Sequence, residues 1–267
     1  MAEIRKTPIM LITGSLGSGK TTLLRRILEF ASTGPTGPAA ILQAGIQATG
    51  PTGPAAILQA GKPAGGSTAF RIAVLMNEFG ELAIDSRVIG GKNVDIIELA
   101  GGCVCCSMTG ELEAAVREII EVIGTDFIVV EATGVAESDA LVYEIEDSLP
   151  EVRLDSVVCI VDTYLGIRHP QVGYTSRSQI ASADIILTNK ADLVTQAEAE
   201  TVETRVRKYN DRAVIVRTVN CGVDINLLFT QVPGERPRRL VSPSGEKFDS
   251  FTWTSEKTFR SAKFDAL

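Results

Sequence analysis

One histidine, His169, stands in a chain of 267 residues, which excludes a histidine-rich metal store. It lies in a His-Pro loop and reads as incidental rather than as a ligand. Runs of basic residues are missing and the net charge is −7, so electrostatic capture of nucleic acid or anionic lipid is not expected. No apolar stretch approaches the roughly 20 residues that span a bilayer. The N-terminus has no signal-peptide apolar region, because Ile9–Ile12 reads as a short strand running into Gly14. An even cysteine count is also absent: there are five, three of them within four residues, which argues against a disulfide framework and for a reducing compartment. The expectation is a soluble cytoplasmic protein with neither nucleic acid nor membrane as a partner.

What is present is apolar substance, 45% of residues, enough for one large α/β core or one core with a small appendage. Short apolar runs predict buried strands at Ile9–Ile12, Arg71–Met76, Val94–Glu98, Phe127–Val130, Ser156–Val161, Ile185–Thr188 and Ala213–Arg217. Helical spacing falls between most of them, at Thr21–Phe30, Thr109–Ile123, Ser138–Asp147, Ser178–Ala183 and Thr195–Tyr209. That alternation predicts a mostly parallel central sheet flanked by helices over residues 1–232. A Pro/Arg-rich linker follows at 233–247, and Phe248–Trp253 reads as one strand of something further on.

Residues 32–67 break the pattern. Thr33–Gly45 recurs unchanged at Thr49–Gly61, and Lys62 is the only charged residue of the stretch. Glycine keeps no triplet period, which rules against a collagen helix, and the composition reads as an inserted flexible loop carrying a tandem duplication.

Gly14-Ser15-Leu16-Gly17-Ser18-Gly19-Lys20-Thr21 fits G-x-x-x-x-G-K-[ST] between a predicted strand and a predicted helix. Backbone N–H groups of such a loop, with the helix N-terminus, cradle phosphates, giving contacts from Gly14, Gly17, Ser18, Gly19, Lys20, Thr21 and Thr22. Lys20, a candidate catalytic residue, is placed to reach the β- and γ-phosphates, and the Thr21 hydroxyl to ligate Mg²⁺. Glu131 ends a strand at the edge where α/β sheets bind ligands, so it is a candidate catalytic acid that holds the Mg²⁺ water shell or orients the attacking water. The Ala-Thr-Gly134 turn after it suits sensing of a γ-phosphate. Asp162, at the end of the next strand, is a second strand-end candidate.

Asn189-Lys190-Ala-Asp192 follows the strand Ile185–Thr188. In N-K-x-D the aspartate accepts from guanine N1–H and the 2-amino group, donors that adenine lacks, and the lysine stem covers the purine. The pairing favours GTP over ATP.

Gly101-Gly102-Cys103-Val104-Cys105-Cys106 lies between a predicted strand and helix. Thiolates suit Zn²⁺ and other soft or borderline ions, and three so close supply two or three ligands of an open site. A redox pair is the competing reading. Asn77-Glu78-Phe79-Gly80-Glu81 to Asp85 reads as a switch segment, with Glu81 a further candidate ligand for zinc. Cys159, inside a strand, and Cys221, after one, read as core or turn residues.

Taken in order, GSLGSGKTT, MNEFGELAID, ELAGGCVCC, FIVVEATG and SQIASADIILTNKADL resemble the CobW-type GTPases, metallochaperones or metal-insertion factors. The resemblance spans about Pro8–Asn226 apart from the insert. It implies a P-loop fold of the SIMIBI class, slow GTP hydrolysis to GDP and phosphate, and a Cys-x-Cys-Cys site for Zn²⁺ or a related ion such as Co²⁺ or Ni²⁺. Gly17, Lys20 and Thr21 carry over as phosphate and magnesium contacts, Glu131 as the strand-end acid, Asn189 and Asp192 as base readers, and Cys103, Cys105 and Cys106 as metal ligands. The chain departs from some relatives in having Met76 where they place an acid, in its repeat, and at 248–267, which the resemblance implies is the start of a truncated C-terminal domain. The expected activity is GTP-dependent delivery of a metal to a client metalloprotein or metal-cofactor enzyme, with a homodimer open. The rivals are a metal-buffering or sensing protein in which nucleotide sets only conformation, and a P-loop kinase of a small molecule.

Overall fold

The computed structural model describes residues 6–32, 71–76, 94–98 and 109–229. The duplicated segment, the Asn77–Asp85 segment, the thiol cluster and the expected strand Phe248–Trp253 lie outside the described residues.

Among the described residues seven strands form one sheet: β1 (Thr7–Gly14), β2 (Ile72–Met76), β3 (Val94–Glu98), β4 (Phe127–Glu131), β5 (Val152–Asp162), β6 (Ile185–Asn189) and β7 (Val214–Arg217). Every pairing is parallel, in the order β3-β2-β4-β1-β5-β6-β7. The α/β expectation holds, with all seven predicted strands present.

The uninterrupted apolar run of β1 follows from its central position. Successive side chains of a strand face opposite ways. Ile9 and Leu11 enter one core with Ala73, Leu75, Ile128 and Val130. Met10 and Ile12 enter another with Val74, Val129, Val158 and Ile160. A strand buried on both faces has no polar side to show.

Helices cover both faces: α1 (Lys20–Ser32), α2 (Thr109–Glu118), α3 (Ser138–Ser148), α4 (Thr163–Arg168), α5 (Tyr174–Ser182) and α6 (Gln196–Arg207). On α1 the buried residues Leu23, Leu24, Ile27, Leu28 and Ala31 share one face against Met10 and Ile12. Leu112 and Val116 of α2, with Leu141 and Ile145 of α3, cover the opposite face. A third cluster joins Cys159 and Ile186 to Ile180, Val202 and Val206 under α5 and α6. α6 opens on a capping box, Thr195 with Glu198, which satisfies two N-terminal donors reciprocally.

Several elements differ from expectation: β5 starts four residues before the predicted Ser156, and α4 has no predicted counterpart. The helix predicted through Ile123 is α-helical only to Glu118 and then widens to a π turn, Ile119–Ile123, closed by Gly124 N–H donating to the Ile119 carbonyl at 3.0 Å. α5 starts four residues earlier than its apolar pattern suggests, because its buried face mixes polar Thr175, Ser178 and Gln179 with Tyr174 and Ile180. A 3₁₀ turn at Ile225–Phe229 closes the first core, with Phe229 edge-on to Phe127 at a ring-centroid distance of 4.9 Å.

Candidate functional site

Because every strand runs the same way, their carboxyl ends share one rim. β1 lies between β4 and β5, where chain order switches sides, and a ligand crevice forms at such a point. Gly14, Met76, Glu98, Glu131, Asp162 and Asn189 all end strands at this rim.

The phosphate loop leaves β1 at Gly14 and enters α1 at Lys20. Gly17 lies at its exposed tip, Thr22 is exposed on the first turn of α1, and Ser18 is fully buried. Among the described residues the Ser18 hydroxyl has no partner, so its hydrogen-bonding capacity is available to a ligand oxygen. Lys20 is 7% exposed, and its Nζ donates to the Gly14 and Ser15 carbonyls at 3.0 and 3.1 Å. Gly19 adopts φ +119°, and a Cβ there would stand 2.6 Å from Asn189 Nδ2, so the position requires glycine twice over.

Thr21 Oγ1 donates to Glu131 Oε1 at 3.2 Å across the β1–β4 boundary. Glu131 is 9% exposed and aligns with Ile12, two residues before the loop begins. A hydroxyl and a carboxylate side by side are hard oxygen donors of the type Mg²⁺ takes alongside phosphate oxygens and water. The residues therefore fit the ion.

The opposite side of the crevice is built around Asn189, which is 2% exposed. Its Nδ2 donates to the Ser18 carbonyl at 2.9 Å; its Oδ1 accepts from Thr218 Oγ1 at 3.1 Å and from Cys221 N–H at 2.9 Å. Asn189 thus ties the phosphate loop to the segment after β7. Lys190 has a left-handed φ of 60°, and its Nζ pairs with Asp162 Oδ2 at 2.6 Å. Asp162 also accepts from Leu165 N–H at 2.9 Å as the cap of α4. This second strand-end acid sits on the Asn189 side, away from Thr21. Asp192 is exposed on the 3₁₀ turn Ala191–Leu193.

Sequence reasoning read Cys221 as a core or turn residue but missed the part that Thr218–Cys221 plays in holding the site. Asn220 and Cys221 both take left-handed φ, 49° and 52°, and Arg26 Nε of α1 donates to the Asn220 carbonyl at 2.7 Å. Cys221 Sγ lies 3.4 Å from the Gly19 carbonyl. A polar Thr-Val-Asn-Cys run directly after a predicted strand was the only available signal.

Cys103, Cys105, Cys106 and Glu81 lie outside the described residues. The flanking ends are placed: Glu98 pairs with Met76, and Leu75 pairs with Val130 beside Glu131. Among the described residues, no group of three or more His, Cys, Asp or Glu could hold a metal ion. Burial pushes the Cys159 thiol up to about 12, against smaller lowering effects from Thr13 and Lys20. Burial likewise pushes Cys221 up to about 11, opposed by Arg26 and Lys190. Both stay protonated at neutral pH, and a thiol is a poor metal ligand. The reading of these two as core or turn residues agrees with their burial.

The family described as CobW/HypB/UreG, nucleotide-binding domain, matches residues 8–47 and 64–217. The chain belongs to this family. The gap in the match, 48–63, contains the whole second copy of the duplicated segment, Thr49–Gly61. Zinc chaperone YjiA of Escherichia coli is 29% identical over 229 residues, covering 83% of this chain and 60% of that protein. Zinc chaperone CobW of Pseudomonas aeruginosa is 31% identical over 245 residues, covering 78% and 54%. Zinc-regulated GTPase metalloprotein activator 1 of Dictyostelium discoideum is 24% identical over 260 residues, covering 82% and 47%. The chain therefore spans 47 to 60% of the length of these relatives. The crystal structure of Zn(II)-bound YjiA GTPase from E. coli matches with a TM-score of 0.54 at 23% identity, covering 85% of this chain and 62% of that one. The shared fold is the P-loop α/β sheet. Among the described residues, no helix is long and apolar enough to cross a membrane.

Proposed function

We propose that this CobW-family chain is a GTP-binding and GTP-hydrolysing metallochaperone, which holds Zn²⁺ or a related ion through Cys103, Cys105 and Cys106 and passes it to a client metalloprotein. In this reading loop amides and Lys20 bind the phosphates. Thr21 and Glu131 would hold Mg²⁺, which when bound supplies charge neutralisation at the phosphates. Glu131 orients the attacking water, and Asp192 reads guanine while Asn189 and Lys190 shape its pocket. The names carried by the relatives, zinc chaperone and GTPase metalloprotein activator, support both halves of the reading.

The observation that carries the coupling is the common rim. Glu98, where the chain leaves β3 toward the thiols, ends its strand at the same edge as Glu131, with only β2 between them. Strands lie about 4.8 Å apart, so the two strand ends are separated by roughly 10 Å. Five residues from Glu98 to Cys103 span at most about 17 Å, enough to bring a sulfur to the phosphate side. A ligand shifts only the equilibria it distinguishes, so the test is whether nucleotide state changes metal affinity. Zinc affinity would be measured by competition with a chromophoric chelator, anaerobically, for the nucleotide-free protein, the GDP complex and a non-hydrolysable GTP complex. Distinct affinities are expected. Equal affinity in all three would leave a metal buffer whose nucleotide sets only conformation.

A further inference from the structure

α5 buries a polar stripe where packing alone would place apolar side chains. Gln179 of that stripe is 1% exposed, and its Nε2 donates to the carbonyls of Gly134 at 3.2 Å and Ala136 at 3.1 Å. Those carbonyls belong to the turn that follows Glu131, closed by Ala136 N–H donating to the Thr133 carbonyl at 3.0 Å. On its other side the turn meets the phosphate loop. A Cβ at Gly134 would stand 2.6 Å from Leu16 N and 3.1 Å from Leu16 Cα. The neighbouring Ser178 Oγ donates to Asp139 Oδ1 at 2.6 Å and fixes α5 to the first turn of α3. One buried amide therefore grips the turn from behind while the turn itself presses on the loop that cradles phosphate.

We propose that Gln179 is a positioning residue for the hydrolytic step. It sets the seat of Gly134 against Leu16, and through the two intervening residues the placement of Glu131 at the terminal-phosphate side of the crevice. This rests on the reading of the chain as a GTPase. The turn meets the loop at Leu16, which is not among the named phosphate contacts, and lies across β1 from Asn189, so its displacement should spare the contacts that GDP shares with GTP and affect those made only during hydrolysis.

Gln179→Met keeps the side-chain length and removes both donors; Gln179→His returns an Nε2–H donor. Steady-state GTP hydrolysis and the dissociation constants for GDP would be measured on the full chain. For the methionine variant, kcat should fall on the order of tenfold to a hundredfold. GDP affinity should stay within about twofold, because uniform binding is untouched. The histidine variant should recover a substantial part of the loss. A folded methionine variant with wild-type kcat overturns the proposal, as does equal loss of kcat and GDP affinity, or a histidine variant no better than methionine. If the methionine variant does not fold, hydrogen exchange on the wild type decides. Peptides containing 133–136 and 176–180 should gain protection together when a non-hydrolysable GTP analogue replaces GDP; protection of one without the other overturns it. Wild-type protein that does not hydrolyse GTP refutes the GTPase reading itself, independently of any variant.

Discussion

Asn189 stands behind the phosphate loop, its Nδ2 2.9 Å from the Ser18 carbonyl and its Oδ1 2.9 Å from the Cys221 N–H. One buried amide thus holds two segments that are far apart in the chain, and the loop's shape depends on β6 as well as on β1. Asn189→Ala would leave the Cys221 N–H and the Thr218 hydroxyl without their acceptor. The expected loss of stability is about 2–4 kcal/mol, from buried groups left unsatisfied. Affinity for GTP and GDP should fall together. Urea unfolding and fluorescent-nucleotide titration measure the two effects; wild-type stability in the variant would contradict the network.

Glu131 offers a cleaner separation of roles. Gln at this position keeps the volume and an Oε1 acceptor for Thr21, now 3.2 Å away, but removes the negative charge. GTP hydrolysis by Glu131→Gln is expected to drop on the order of 10²-fold, the usual contribution of a positioned acid or base. Single-turnover phosphate release at saturating Mg²⁺-GTP reads this step. An unchanged rate would assign Glu131 to the framework alone.

Gly134 and Gly17 make a paired test of what glycine does here. A methyl at Gly134 meets Leu16 backbone at 2.6 Å, whereas no atom of the described residues lies within 4 Å of one at Gly17, whose φ is +72°. Gly17→Ala should cost about 1 kcal/mol of backbone strain. Gly134→Ala must move the turn or the phosphate loop, so it should depress hydrolysis much further than Gly17→Ala. Parallel thermal melts and hydrolysis assays compare them. The reverse ranking would mean that the turn and the loop are not in contact.

The features legible in the sequence were those written in short-range pattern. The β1 run, the glycine-lysine-threonine loop and the α1 stripe declare themselves within 24 residues, Pro8 to Ala31. β5 was read too short because Arg153 and Asp155 interrupt its apolar run, although they pair with each other at 2.9 Å along the strand. Asp162 was ambiguous for a physical reason: a strand-end carboxylate can hold a metal or cap the next helix, and both look alike in one dimension. Here it caps α4 and pairs with Lys190. The left-handed pair Asn220–Cys221 was invisible, since asparagine tolerates that conformation but cysteine gives no hint of it. Gln179 was hidden by the same limit, for it acts on residues 43 and 45 positions earlier in the chain.

The two buried thiols predict how stability depends on alkaline pH. Burial pushes Cys159 up to about 12 and Cys221 up to about 11. An unfolded cysteine ionises near pH 8.5 or so, at about its reference value. Below that pH both states keep their protons, and these groups add no pH dependence. Above it the unfolded chain releases protons that the folded chain retains, so stability falls as pH rises, until the folded thiols ionise near about 11 and 12. Each thiol contributes a slope of about 1.4 kcal/mol per pH unit within its window. Cys159→Ala should therefore flatten the decline between about pH 9 and 11 by roughly that slope, relative to wild type in the same buffers with reductant present. Comparing the variant with wild type cancels the lysines and tyrosines that titrate in the same range. Urea midpoints at three pH values suffice; an identical slope in both proteins would mean that Cys159 ionises as readily folded as unfolded, which full burial in β5 does not allow.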